Sequence, residues 1–190
     1  MLGLMGVEIV FETHPLTMHS EAGIASGWLP GQLSTNGRRH AMEMRRRRRG
    51  ESFAAVYHSD LLRVVETVEL AFMGFHGPVF EDRRLRDINY GTLNGAPEAQ
   101  VWRERATHID TPFPRGESLR QVVDRTRALL VELSRRWDGE RLAVVAHPVN
   151  RWALDNLLRG EPLEKLVVAP FDWDEGWNYE LPAQWTGRAR

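Results

Sequence analysis

Apolar residues fall along this chain with two periods. Short runs rich in β-branched and aromatic residues, Val7–Thr13, Phe53–His58 and Arg141–Ala146, read as buried strands. Between them, apolar positions recur every three or four residues, the spacing of one helix face. The clearest case is Glu117–Trp137, where Leu119, Val122, Val123, Thr126, Leu129, Leu130, Leu133 and Trp137 form one stripe. Leu61, Leu62, Val65, Val68 and Ala71 form a second, with Asp60 expected as its cap. Ser34 is expected to cap a helix running to about Arg48, and Pro97–Thr107 and Arg151–Leu158 are further helices. Val79-Phe80 and Arg84–Asn89 frame a short strand and an ordered loop. Ser20–Gln32 is punctuated by Gly, Ser and Pro and reads as loop. Phe171–Leu181 alternates weakly, which fits an edge strand, with Trp173 and Trp177 packing there.

Strands alternating with helices argue for an α/β fold, a three-layer sandwich with a mostly parallel central sheet and helices on both faces. No linker, repeat or low-complexity segment interrupts the pattern. A length of 190 residues suits one domain spanning 1–190.

Composition narrows the class. Hydrophobic residues make up 42% and charged residues 27%, as in soluble globular proteins. There is no cysteine, which removes disulfide and thiol chemistry. Seven histidines leave room for a histidine–carboxylate metal site, although none shows the two-histidine helical spacing of a zinc protease. The apolar start Met1–Val7 is short, without a basic leader or a cleavage site, and no apolar run approaches the roughly 20 residues of a membrane span. A cytoplasmic protein without a membrane partner is the expectation. The net charge of −1 makes a nucleic-acid partner unexpected. The local exception is Arg45–Arg49, five arginines in a row. At about 100° per residue such a run encircles a helix, so not all can face solvent. Either the helix frays near Arg48, or one arginine snorkels, or the patch meets a partner; a solvated, partly frayed end is the expected outcome.

In open α/β sheets ligands bind outside the carboxyl ends of the strands. His14 follows the first strand and His147 the last core strand, each then stopped by a proline. Arg63 falls in the first turn of a helix, at the end where the dipole favours anions. An anion bound nearby would resolve that conflict.

Six motifs along Val7–Leu158 resemble, in order and spacing, those of the histidine phosphatase (phosphoglycerate mutase-like) superfamily. His14 is followed thirteen residues later by Gly27-Trp28-Leu29. Leu33-Ser34-Thr35-Asn36-Gly37-Arg38 is similar to the family's Leu-Thr-x-x-Gly-Arg. Tyr57-His58-Ser59-Asp60-Leu61-Leu62-Arg63 resembles Tyr-Ser-Ser-Asp-Leu-x-Arg. Leu85-Arg86-Asp87-Ile88-Asn89-Tyr90-Gly91 resembles the segment carrying the general acid. Gly116-Glu117-Ser118 and Val144-Val145-Ala146-His147 complete the set.

The resemblance implies phosphoryl transfer through a phosphohistidine, without a metal or other cofactor, on a small phosphate monoester. His14 would be the nucleophile and Asp87 the acid, while Arg63 and His147 would hold phosphate oxygens. Thr13, Ser20, Gly27, Arg86 and Arg151 would line the substrate site. A homodimer is compatible with the resemblance. The chain also departs from the pattern. Thr13 stands where the family has arginine, Pro15 and Pro148 stand where it has glycine, and Asp87 stands for the usual glutamate. Proline has no N–H, so two backbone donors are gone. These changes converge on the phosphate cradle. They motivate an alternative, a member that no longer hydrolyses phosphate and binds a ligand, or acts on another substrate type. Trp102, Arg103, Arg105 and His108 lie in the segment expected to set specificity.

Overall fold

The computed structural model describes residues 5–170 and 174–187; Phe171 and Trp173 lie outside them. Five strands form one sheet: β1 (Val7–Thr13), β2 (Ala55–His58), β3 (Val79–Glu81), β4 (Arg141–Ala146) and β5 (Trp177–Leu181). Their order is β3-β2-β4-β1-β5. β1, β4, β2 and β3 run parallel, and β5 joins β1 antiparallel as the edge strand. The three-layer α/β expectation therefore holds.

The seven α-helices among the described residues are α1 (Met18–Glu21), α2 (Thr35–Arg48), α3 (Leu62–Ala71), α4 (Glu98–Glu104), α5 (Leu119–Arg136), α6 (Pro148–Arg159) and α7 (Leu163–Val168). Successive side chains of a strand face opposite sides of the sheet. Val7, Ile9 and Phe11 of β1 thus join Tyr57, Leu142 and Val144 in the larger core, beneath the α5 stripe and Ala153, Leu154 and Leu157 of α6. Val56, Ala143 and Val145 face the other way and pack with Val64 and Val68 of α3.

Local chemistry sets the helix ends. Ser118 accepts from the Gln121 N–H while Gln121 accepts from the Ser118 N–H, a reciprocal cap that starts α5. Ser34 caps α2 by accepting from Gly37 N–H. Pro148 occupies the first turn of α6, where a missing N–H costs nothing, and Gly160 ends it in the left-handed conformation.

Three local expectations are corrected. Asp60 does not cap α3. Leu61 holds that position without a side-chain bond, because the Asp60 carboxylate is taken by Arg86. The Ser20–Gln32 loop is preceded and partly overlapped by α1, where Thr17 and Ser20 cap each other. Finally, α2 is helical through Arg48, and the arginine run is not simply solvated. Arg48 donates to Glu12 at 2.8 Å and Arg47 reaches the same carboxylate at 3.4 Å. Glu12 lies on the face of β1 opposite Phe11, where α2 packs, so the arginines bring the counter-charge to a carboxylate that is 2% exposed.

Candidate active site

Three adjacent parallel strands stop side by side. His14 N–H donates to Ala146 O and Ser59 N–H to Val145 O, so the chain exits of β1, β4 and β2 are tied together. His14 and His147 leave from neighbouring strands, and their rings stand 5.0 Å apart, edge to face.

Arg63 is the hub. It sits in the first turn of α3, 1% exposed. Its Nε donates to His14 Nε2 at 3.2 Å. Nη2 lies 2.9 Å from Gly27 O, 3.0 Å from Asp87 Oδ2 and 3.3 Å from His147 Nδ1. Nη1 reaches Leu29 O at 3.4 Å. Five acceptors therefore converge on one guanidinium, and this resolves the placement of a cation at a helix N-terminus without any added anion. Gly27 adopts φ +48°, and a side chain there would run into Asn94. Glycine lets this carbonyl turn toward Arg63.

The imidazole states follow from their partners. His14 Nδ1 lies 2.8 Å from Pro15 O, an acceptor only, so Nδ1 carries the proton and Nε2 presents its lone pair to Arg63. Burial and the nearby Arg63 charge push its pKa down to about 3. His147 is fully buried, and burial with Arg63 holds it well below the ordinary value as well. Its Nδ1 faces Arg63, so its Nε2 proton goes to Ser59 Oγ at 3.0 Å. In this state His147 orients the guanidinium; donating to an anion would need a second proton, which the same surroundings oppose.

Asp87 is raised above the usual carboxylate range by burial, against the pull of Arg63. Its Oδ1 accepts from Ile88 N–H at 2.9 Å. Its carbonyl is fixed by Trp28 Nε1 at 2.7 Å and Arg125 Nη2 at 2.9 Å.

The remaining sequence candidates fall outside this contact cluster. Thr13 is buried and pairs with Ala146 at the end of β1. The Ser20 hydroxyl bonds the backbone N–H and carbonyl of Thr17. Arg86 is held by Asp60 at 2.7 and 2.5 Å and lies over Trp28. Arg151 lies over Trp177, next to Asp155 on the following turn of α6. In the expected specificity segment, Arg105 lies between the rings of Trp102 and Trp152.

Two supporting residues were missed from sequence. Ser59 follows a strand end directly, a position that carried the signal. Arg125 lies in α5, 38 residues from the carbonyl it holds, and no local pattern announces it. Among the described residues no three His, Asp or Glu side chains group as metal ligands, and no helix is long and apolar enough to cross a membrane.

A site of this kind, two strand-end histidines around a buried arginine and a carboxylate, sits on a fold with known relatives. Residues 9–172 match the model of the histidine phosphatase superfamily (branch 1), and the chain belongs to that superfamily. It is 25% identical over 164 residues to "Probable phosphoglycerate mutase GpmB" of Shigella dysenteriae, covering 82% of this chain and 76% of that protein. Among solved structures, Bacillus stearothermophilus YhfR matches with a TM-score of 0.77 and 25% identity over 94% of this chain and 96% of that one. A mycobacterial glucosyl-3-phosphoglycerate phosphatase complexed with VO3 matches at TM-score 0.75 and 24% identity, covering 86% and 87%, and shares the fold. The α-ribazole phosphatase of Shigella flexneri shares it too, at TM-score 0.72 and 21% identity, covering 84% and 83%.

Proposed function

We propose that this protein hydrolyses a small phosphate monoester through a phosphohistidine at His14. The observation that carries the reading is the state of His14. Its Nδ1–H is committed to Pro15 O, so the neutral ring offers Nε2 as nucleophile beside the only guanidinium in the contact cluster.

In the reaction Nε2 attacks phosphorus and the ester P–O bond breaks. Asp87, its carboxyl raised by burial, gives its proton to the leaving alkoxide. The resulting carboxylate then takes a proton from water as that water attacks the phosphohistidine, releasing phosphate and restoring His14. Arg63 swings its Nε–H from His14 to a phosphate oxygen, with His147 and Gly27 O holding Nη2. Arg86 and Arg151, each seated on a tryptophan, are proposed to meet the rest of the substrate. The step calls on no metal ion. The names of the structural neighbours, phosphatases of different esters, support the reaction class and leave the ester open.

One observation favours a second reading. The donors of Arg63 are already directed at protein acceptors, and the family's other cation at this strand end is Thr13 here. A member that binds a ligand without turnover is the consequence if Arg63 cannot be released.

The test is turnover of p-nitrophenyl phosphate by wild type beside His14→Ala, without added metal. Activity lost on substitution supports the proposal, as does trapping of acid-labile phosphate on the wild type. An inactive wild type across sugar and nucleotide phosphates, or an active His14→Ala, overturns it.

A further inference from the structure

The α2 arginine run does more than neutralise Glu12. It forms one wall of a groove of about 510 Å³ between the C-terminal ends of α2 and α3, away from the His14 cluster. Three phenylalanines line it as well. Phe53 precedes β2, while Phe72 and Phe75 follow α3; the Phe53–Phe72 rings meet at 6.1 Å and the Phe72–Phe75 rings at 6.3 Å, both edge to face.

The charges of the wall are unbalanced. Arg48 faces Glu12 and Glu51, and Glu51 is shared with Arg141. Among the described residues the guanidinium groups of Arg45, Arg46 and Arg49 have no ion-pair or hydrogen-bond partner, and Glu51 is the only carboxylate lining the groove. A helix C-terminus favours a cation in its last turn, which explains one or two basic residues. It does not explain three guanidiniums without an ion-pair or hydrogen-bond partner that share one groove with three phenylalanines.

We infer that this groove is a binding site for a nucleoside di- or triphosphate. The volume falls in the range of small-molecule sites, roughly 300–1,000 Å³. The three guanidiniums match the charge of a polyphosphate. Arg45 and Arg46 each lie within about one turn of Arg49, the residue that ends α2, and all three line the groove. Planar guanidinium forks suit phosphate oxygens. The phenylalanine cluster supplies an apolar surface for the base. An acidic peptide would present single charges spaced along an extended chain, and a membrane would need a convex face rather than a groove.

The groove also touches the catalytic end of β1 through Arg48, which holds Glu12 two residues before His14. Occupancy is therefore read at the groove itself, separately from turnover.

The experiment is calorimetric titration of full-length His14→Ala with ADP, so that no nucleotide is consumed at the strand ends. The same titration follows with Arg45→Ala, Arg46→Ala and Arg49→Ala added singly to that background. These arginines are exposed or partly exposed, so their loss leaves the fold intact. The expected result is saturable one-site binding, weakened about tenfold by each arginine substitution, and pyrophosphate binding about tenfold weaker than ADP. Several outcomes overturn the inference. They are no binding, binding indifferent to the three arginines, pyrophosphate binding as tightly as ADP, and binding to phosphatidylserine vesicles or poly-glutamate that ADP does not displace.

Discussion

Replacing Arg48 with leucine removes the main partner of a buried carboxylate. Glu12 is 2% exposed and accepts from Arg48 at 2.8 Å, while Arg47 approaches no closer than 3.4 Å. Breaking a buried pair from one side costs about 3–5 kcal/mol, because a charge stays behind without compensation. Two effects lower that figure. Arg47 remains, and Glu12 can take up a proton. The expected loss is therefore about 2–3 kcal/mol near pH 7.5, or a fall of roughly 5–10 °C in Tm for a domain of this size.

The sign with pH follows from linkage. Burial already raises the Glu12 pKa above its ordinary value despite both arginines. A carboxyl raised by folding contributes stability that is full below its unfolded pKa and is lost as pH rises through the folded one. Arg48→Leu raises the folded pKa further, so its destabilisation must grow between pH 5 and pH 8. The double variant Glu12→Leu/Arg48→Leu removes both charges and should recover most of the loss; Arg47 can turn to solvent, and Glu51 keeps Arg141 at 2.9 Å. Thermal melts followed by circular dichroism at both pH values measure all three. A single variant within 2 °C of wild type, an equal loss at both pH values, or a double variant as unstable as the single one would each refute the argument.

Further outcomes follow from the site. With His14 down to about 3 and His147 well depressed, NMR titration of the ring resonances should show no inflection for either between pH 5.5 and 8, and one near 6.5 would contradict their neutral states. Since unfolding releases both rings to their ordinary pKa, stability should fall as pH drops below about 6.5, by up to ~2 kcal/mol per ring at pH 5, and urea melts across that window check this. Arg63→Lys keeps the charge but cannot reproduce a fork with contacts to Gly27 O, Asp87 and both histidines, so kcat/KM for p-nitrophenyl phosphate should drop at least about tenfold. Asp87→Asn should slow the first-turnover release of an alkyl alcohol about 100-fold or more but largely spare the first-turnover release of nitrophenolate, which leaves without a proton, while hydrolysis of the phosphohistidine slows for both; equal first-turnover losses on both would remove Asp87 as the acid.

What could be read from sequence was what is periodic or local. The α5 stripe, the strand cores and the strand-end positions of His14 and His147 are set by burial period and by proline, so they emerged from the chain directly. Arg63 was legible through its conflict with the helix dipole. Tertiary partners were not. Asp60 looks like a cap until Arg86, 26 residues later, takes its carboxylate. Glu12 reads as one polar position in a strand, and its meaning appears only when α2 lays Arg47 and Arg48 across it. The charge state of His147 was hidden for the same reason, since burial and Arg63, 84 residues away, keep the ring neutral and Arg63 faces its Nδ1.

The loss of the family's arginine at position 13 and the burial of Asp87 belong to one electrostatic argument. Both imidazoles are neutral, so Arg63 and an ionised Asp87 leave the contact cluster with no net charge, a poor host for a phosphate dianion. An arriving anion would lie close to Asp87 Oδ2, itself 3.0 Å from Arg63, and like charges raise a carboxyl pKa that burial has already raised. In the proposed reaction substrate and proton therefore enter together, and the proton that balances the charge is the one the leaving alkoxide requires. A second guanidinium would hold Asp87 ionised and weaken this coupling. Sulfate or tungstate, dianions that take up no proton of their own in this range, should accordingly bind more tightly as pH falls from 8 to 6, approaching tenfold per pH unit where one proton is taken up. Calorimetry in two buffers of different ionisation enthalpy reads that proton directly. Binding that ignores pH across this range would mean that Asp87 stays ionised beside the anion, and the acid would have to be sought elsewhere.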